Sequence, residues 1–239
     1  MTGPGNPPVT GRGTASGTAP GAGPGTVPGT GPRVLPVGEH ALLVETVSGE
    51  AAGALHAELL RRRAAGTLPG VREIVPAART VLLDGLEDPG RLAEELSRWR
   101  VPPPRPRSAA VVEIPVRYDG PDLAVVADLW GVTAQEVARV HSAAEFRVAF
   151  CGFAPGFGYL TGLPERYAVP RRATPRTSVP AGSVALAGPY TGVYPRSSPG
   201  GWQLIGTTET VLWDQDREPA ALLSPGTRVR FVPLSAGRS

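Results

Sequence analysis

Beyond Ser142 no run of the chain carries a convincing helical period. Short apolar segments replace it, "FRVAFCG", "GSVALAG", "TGVYP", "WQLIG", "TVLWD" and "RVRFVPL", set apart by Gly/Pro turns. Segments of this length and punctuation read as strands, and a series of them predicts a closed or nearly closed β-barrel. The barrel opens with the strand "AVVEIPV", residues 110–116. A helix pair follows at its entrance. One helix starts near Pro121, places Leu123, Val126, Ala127 and Trp130 on one face, and stops at Gly131. The other is opened by the capping box of Thr133 and Glu136 and ends at His141 and Ser142.

The residues before the barrel alternate differently. "RVLPVG" and "ALLVETV" read as strands around Gly38, followed by a helix over about 49–65 with Leu55 and Leu59 on one side and Glu58 four residues before Arg62. "VREIVP" and "RTVLLDG" are two more strands. Asp88 then caps a helix with Pro89 in its first turn and Leu92, Leu96 and Trp99 on one side. The expected fold class is α+β: a small N-terminal α/β sandwich over 33–106, then a β-barrel domain over 107–239. "VPPPRPR", residues 101–107, is the expected linker. Residues 1–32 are low-complexity Gly, Pro, Thr and Ala with little to bury, and read as a flexible tail. Hydrophobic residues at 41% against 19% charged give the rest enough to build a core.

All 24 basic residues are arginine. Without lysine there is no Schiff base, no lysine-activated serine and no P-loop of the GxxxxGK[ST] form. The net charge of +3 is spread along the chain, with clusters only at 61–63 and 171–172, and this points away from nucleic acid. One cysteine and three scattered histidines supply neither an internal disulfide nor a metal-ligand spacing. No secretory signal is seen, and the uncharged run over 148–164 is too short and too rich in Gly and Pro to span a membrane. A soluble cytoplasmic protein is expected.

Three loops carry the candidate chemistry. "FCGFAPGFGYLTG", residues 150–162, combines four glycines with Phe153, Phe157 and Tyr159, which suggests apolar pocket walls with exposed amides. "TPRTSVPAGS", residues 174–183, sets Arg176 between prolines, either as a clamp for a carboxylate or phosphate or as a surface salt bridge. "YPRSSPGGWQLIG", residues 194–206, lacks the lysine that an amidase-type serine needs, so its serines read as hydrogen-bonding loop residues. Cys151 has apolar neighbours and reads as a packing thiol. His141 lies on the helical face of Val137 and Ala138. It is either a core histidine bonded to backbone or a functional one at the barrel mouth, held protonated by the helix C-terminus.

"EVARVHSAAEFRVAFCGFAPGFGYLTGLP", "ATPRTSVPAGSVALAG" and "TGVYPRSSPGGWQLIG", in this order and spacing, resemble the B subunit of bacterial ATP-dependent 5-oxoprolinase. That family is also labelled allophanate hydrolase subunit 1 and includes the sporulation-kinase inhibitor KipI. The resemblance runs from about Arg33 to Leu234. It implies a cyclophilin-like barrel, a homologous barrel partner (the C subunit) and a third component (the A subunit), which together cleave 5-oxo-L-proline to glutamate. ATP with Mg2+ is then a co-substrate of the complex, and this chain holds no cofactor of its own. Carried over as catalytic are His141 and Arg176. Carried over as substrate-binding or interface residues are Phe153, Pro155, Gly156, Tyr159, Pro180, Tyr194, Pro199, Gly200, Gly201 and Trp202. The same resemblance leaves open a KipI-like role on a sensor histidine kinase and an allophanate hydrolase role. Departures from the family pattern include Cys151 for an aliphatic residue, Gly158 for a frequent proline, "GEH" at 38–40, and Thr207 where arginine is common.

Overall fold

The structure is a computed structural model and describes residues 32–99, 101 and 111–234. The tail expected over 1–32 lies outside the described residues except for its last position, as does the expected linker from residue 102 onward.

The first sheet is built from strands that bury alternate residues. β1 (Arg33–Val37) and β2 (Ala41–Glu45) form a hairpin, followed by α1 (Gly49–Ala64), β3 (Glu73–Pro76), β4 (Thr80–Asp84) and α2 (Pro89–Ser97). The strands are antiparallel in the order β1-β2-β4-β3. Val81 and Leu83 of β4 point inward with Leu42 and Val44 of β2, and meet Leu55 and Leu59 of α1 and Leu92 and Leu96 of α2 in one core. Ser48 fixes the start of α1 by accepting the Ala51 N–H at 3.1 Å. Asp88 does the same for α2 through the Arg91 N–H at 3.0 Å, with Pro89 in the first turn.

The second sheet is barrel-like. The elements of this part of the chain run β5 (Val111–Val116), α3 (Leu123–Trp130), α4 (Ala134–Ala143), β6 (Phe146–Cys151), β7 (Gly158–Thr161), β8 (Arg176–Val179), β9 (Ser183–Ala187), β10 (Tyr190–Val193), β11 (Ser198–Gly200), β12 (Gln203–Thr207) and β13 (Arg228–Pro233), with β8 and β11 outside the sheet. The order is β12-β9-β10-β7-β6-β13-β5, and the β13–β5 pair is parallel. Its two edges meet. Arg117, just past β5, and Thr207, ending β12, exchange backbone hydrogen bonds of 2.9 and 2.8 Å. That contact joins the two edges at one end of the sheet and leaves the barrel nearly closed. Ile114, Val148, Leu160, Leu186, Ile205 and Phe231 form the core with Val126 of α3 and Val137 of α4.

Two local expectations change. "TVLWD" is no strand. Residues 210–214 carry a single bridge, Trp213 to Ala221, because the Arg217 guanidinium gathers the carbonyls of Val211, Leu212, Pro219 and Ala220 into a loop. Conversely, β7, β8 and β11 lie inside stretches expected as loops. β8 and β11 form a separate two-stranded ribbon.

Candidate functional site

Residues 152–157 make a tight loop between β6 and β7. Gly152 donates to the Phe157 carbonyl at 3.2 Å, Ala154 to Gly152 at 2.8 Å and Phe157 to Ala154 at 3.0 Å. Gly156 has φ 81°, and a Cβ there would lie 2.9 Å from the Trp213 Cβ, so only glycine fits. Phe153 is the one described non-glycine residue with positive φ, at 67°. That geometry costs about 1–3 kcal/mol, yet it holds a ring that is 59% exposed. Pro155 beside it is also exposed.

Behind this loop the rings pack on one another. Phe157 meets Phe153, Tyr159, Tyr194 and Trp202 edge-on, with centroids 5.0–5.5 Å apart. Phe150 stacks on Tyr159 at 4.3 Å. Sequence reading makes these residues the walls of an open pocket. Instead Phe157, Tyr194 and Trp202 are buried, because edge-to-face contacts fill the space between the loops more favourably than water does. Phe153 remains exposed, and Tyr159 and Tyr190 are half-buried.

An ionic cluster adjoins the rings. The β8–β11 ribbon sets Gly200 opposite Arg176, and the Arg172 N–H donates to the Gly201 carbonyl at 2.8 Å, so residues 170–176 and 198–201 are tied to each other. Asp122 sits at the N-cap of α3 but makes no cap bond. Its Oδ1 accepts Arg172 Nη1 and Arg176 Nη2, each at 2.8 Å, and its Oδ2 accepts the Leu204 N–H at 2.7 Å. The residue is 2% exposed. Burial alone would raise its pKa, but the hydrogen bonds from Arg176 and Leu204 and the two guanidinium charges outweigh this and hold it below the usual carboxylate range. Arg172 Nε and Arg176 Nη1 are enclosed and donate to no acceptor among the described residues. Arg171 is exposed; burial raises the hydroxyls of Tyr159 and Tyr194, and the Arg171 charge opposes the rise.

The structure therefore gathers Phe153, Gly156, Tyr159, Arg176, Tyr194, Gly200, Gly201 and Trp202 around one aromatic and ionic cluster. Pro180 lies exposed just past β8, and Pro199 is exposed within β11.

His141 is not among them. It is fully buried in the barrel core, with its ring 4.9 Å from Phe146 and 4.6 Å from Phe231. Its Nδ1 lies 2.8 Å from the Tyr118 hydroxyl and its Nε2 3.3 Å from Thr191 Oγ1. Burial pushes its pKa down to about 3. The expectation of a protonated histidine at the barrel mouth is corrected: desolvation outweighs the helix terminus. Unfolding restores an ordinary pKa near 6.5, so the unfolded chain binds the proton first. Stability drawn from His141 is present above pH 6.5 and falls by about 1.4 kcal/mol per pH unit below it. Urea unfolding of His141→Gln should lack that component of the slope between about pH 6.5 and 4.

Cys151 is half-buried, 3.7 Å from the Leu223 carbonyl, and burial pushes its pKa up to about 11, as a packing thiol requires. Ser178 and Ser197 bond to each other at 2.9 Å. Thr207 donates to Asp119 at 2.9 Å next to the barrel closure. Sequence reading misses Asp122 and Arg172. An aspartate before a helix reads as an N-cap, and no local spacing links it to arginines 50 and 54 positions later.

The family model described as "Carboxyltransferase domain, subdomain C and D" matches residues 32–223. The B subunit of 5-oxoprolinase from Escherichia coli O157:H7 is 48% identical over 179 residues, which cover 71% of this chain and 81% of that one. The crystal structure of TTHA0988 superposes with a TM-score of 0.69 at 35% identity, over 84% of this chain and 41% of that one. The K. lactis urea amidolyase shares the fold at a TM-score of 0.64 and 20% identity, over 85% of this chain and 15% of that one. With its barrel-like sheet, its three Gly/Pro/aromatic loops and these matches, the chain belongs to the 5-oxoprolinase B-subunit family.

Proposed function

We propose that the chain is one subunit of a heteromeric ATP-dependent 5-oxoprolinase, that its aromatic and arginine face forms one wall of a shared active site, and that it is inactive alone. The C and A subunits of that enzyme are the partners, ATP with Mg2+ is the co-substrate of the assembly, and the location is the cytoplasm. Among the described residues no helix is long and apolar enough to cross a membrane. The small α/β sheet before residue 107 is a separate domain in this reading.

The chemistry explains the need for several chains. A lactam carbonyl is a poor electrophile. Phosphorylating its oxygen opens the ring to water, which requires phosphate-binding groups, an acid–base residue and shielding from solvent. The observation that carries the proposal is the composition of the face. It offers guanidinium groups and rings, while its carboxylate, Asp122, is already committed to three hydrogen bonds and the candidate histidine, His141, lies in the barrel core. The acid–base group therefore comes from another polypeptide.

Reconstitution tests this. Glutamate release from 5-oxoproline should need ATP and every component of the complex, and this chain alone should hydrolyse neither compound. Arg176→Ala should lower kcat/KM by about 10–100-fold, the loss of one or two hydrogen bonds to a charged group. Turnover by the isolated chain would refute the proposal.

A further inference from the structure

Folded proteins seldom enclose guanidinium N–H groups without acceptors, yet Arg172 Nε and Arg176 Nη1 are so enclosed, on two side chains that meet at one carboxylate; an anion reaches these side chains through the part of each that stays exposed. Arg172 and Arg176 share Oδ1 of Asp122, so their forks lie side by side, and their side chains keep 34% and 23% of their exposure. Each guanidinium has five donors in a planar fork, and among the described residues each spends a single nitrogen on Asp122. Within the buried cluster, two positive charges against one negative leave one positive charge in excess; the nearby Arg171 is exposed, and water and salt screen its charge. A singly charged anion makes the cluster neutral; a phosphate with its nearly doubled charge overshoots. Tyr194, close enough to Arg176 to feel its charge, links the arginines to the exposed ring of Phe153 and the half-buried ring of Tyr159, which offer apolar contact.

Resting on the proposed function, we propose that Arg172 and Arg176 clamp the carboxylate of the ring substrate rather than a nucleotide phosphate. Asp122 is the positioning residue that aligns the forks and sets the preference for a monoanion. The arginines bind and orient; ring opening belongs to groups elsewhere in the assembly.

The test has a binding arm and a turnover arm. Calorimetry on the full chain and on the heteromer compares 5-oxo-L-proline, cyclopentanecarboxylate, 2-pyrrolidinone (the lactam without its carboxylate) and inorganic phosphate. Both carboxylates should bind at least about tenfold more tightly than the other two, and Arg172→Lys, which keeps the charge and loses the fork, should erase that margin. In turnover, Arg172→Lys should raise KM for 5-oxoproline at least about tenfold with kcat and KM for ATP within about twofold. Asp122→Asn should narrow the margin of carboxylate over phosphate; thermal melting confirms that each variant is folded. Phosphate binding as well as the carboxylates, no saturable carboxylate binding, or a rise in KM for ATP instead would overturn the clamp. Carboxylate binding without oxoprolinase turnover would support the clamp and sink the functional reading alone.

Discussion

Replacing Asp122 with alanine should lower the unfolding free energy by about 3–5 kcal/mol, the range found when one member of a buried ion pair is removed. The change strands two guanidinium groups and the Leu204 N–H, which now reach Asp122 at 2.7–2.8 Å. Asp122→Asn should cost less, since an amide oxygen still accepts the Leu204 N–H. The sign with pH follows from the depressed carboxyl. Its stabilisation is complete above the unfolded value near 4 and disappears as pH falls through the lower folded value. Denaturant titrations should therefore show the two proteins converging on the acid side. An alanine variant as stable as the parent at neutral pH would mean that the cluster is solvated and not built.

The second large effect separates two neighbouring phenylalanines. Phe157→Ala should cost about 3–5 kcal/mol, as for other buried aromatic residues, because its ring holds Tyr159, Tyr194 and Trp202 together. Phe153→Gly should change stability by no more than about 1 kcal/mol, since relief of the left-handed backbone offsets the lost ring contact and the glycine entropy. Its effect should emerge in assembly. An exposed ring held in a strained conformation suits an interface anchor, so the variant should dock onto its partner chains at least about tenfold more weakly. Equal losses of stability in both variants, with assembly unchanged, would assign Phe153 to packing alone.

The pattern of legibility has physical causes. The helices can be read because their signals are local: Ser48, Asp88 and Thr133 accept amide hydrogens within three residues. Strands with alternating burial, such as β4, are equally plain. β8 and β11 are not, since four- and three-residue strands containing proline or serine are held by register rather than by their own pattern. The site is half legible. Its loops stand out by composition, and Arg176 stands out by the prolines on either side of it. Two things stay hidden because they depend on long-range closure. One is that the rings bury each other; the other is that Asp122 turns from its helix toward arginines brought in by the barrel. His141 has two open readings in the sequence, and burial decides for the core.

Hydrogen–deuterium exchange across the assembly tests the central claim most directly. Slowed amide exchange over 152–157 and 170–176 when the partner chains are added, with the first sheet unchanged, is what a shared wall predicts. Unchanged exchange in both loops within an assembled, ATP-dependent oxoprolinase would contradict it.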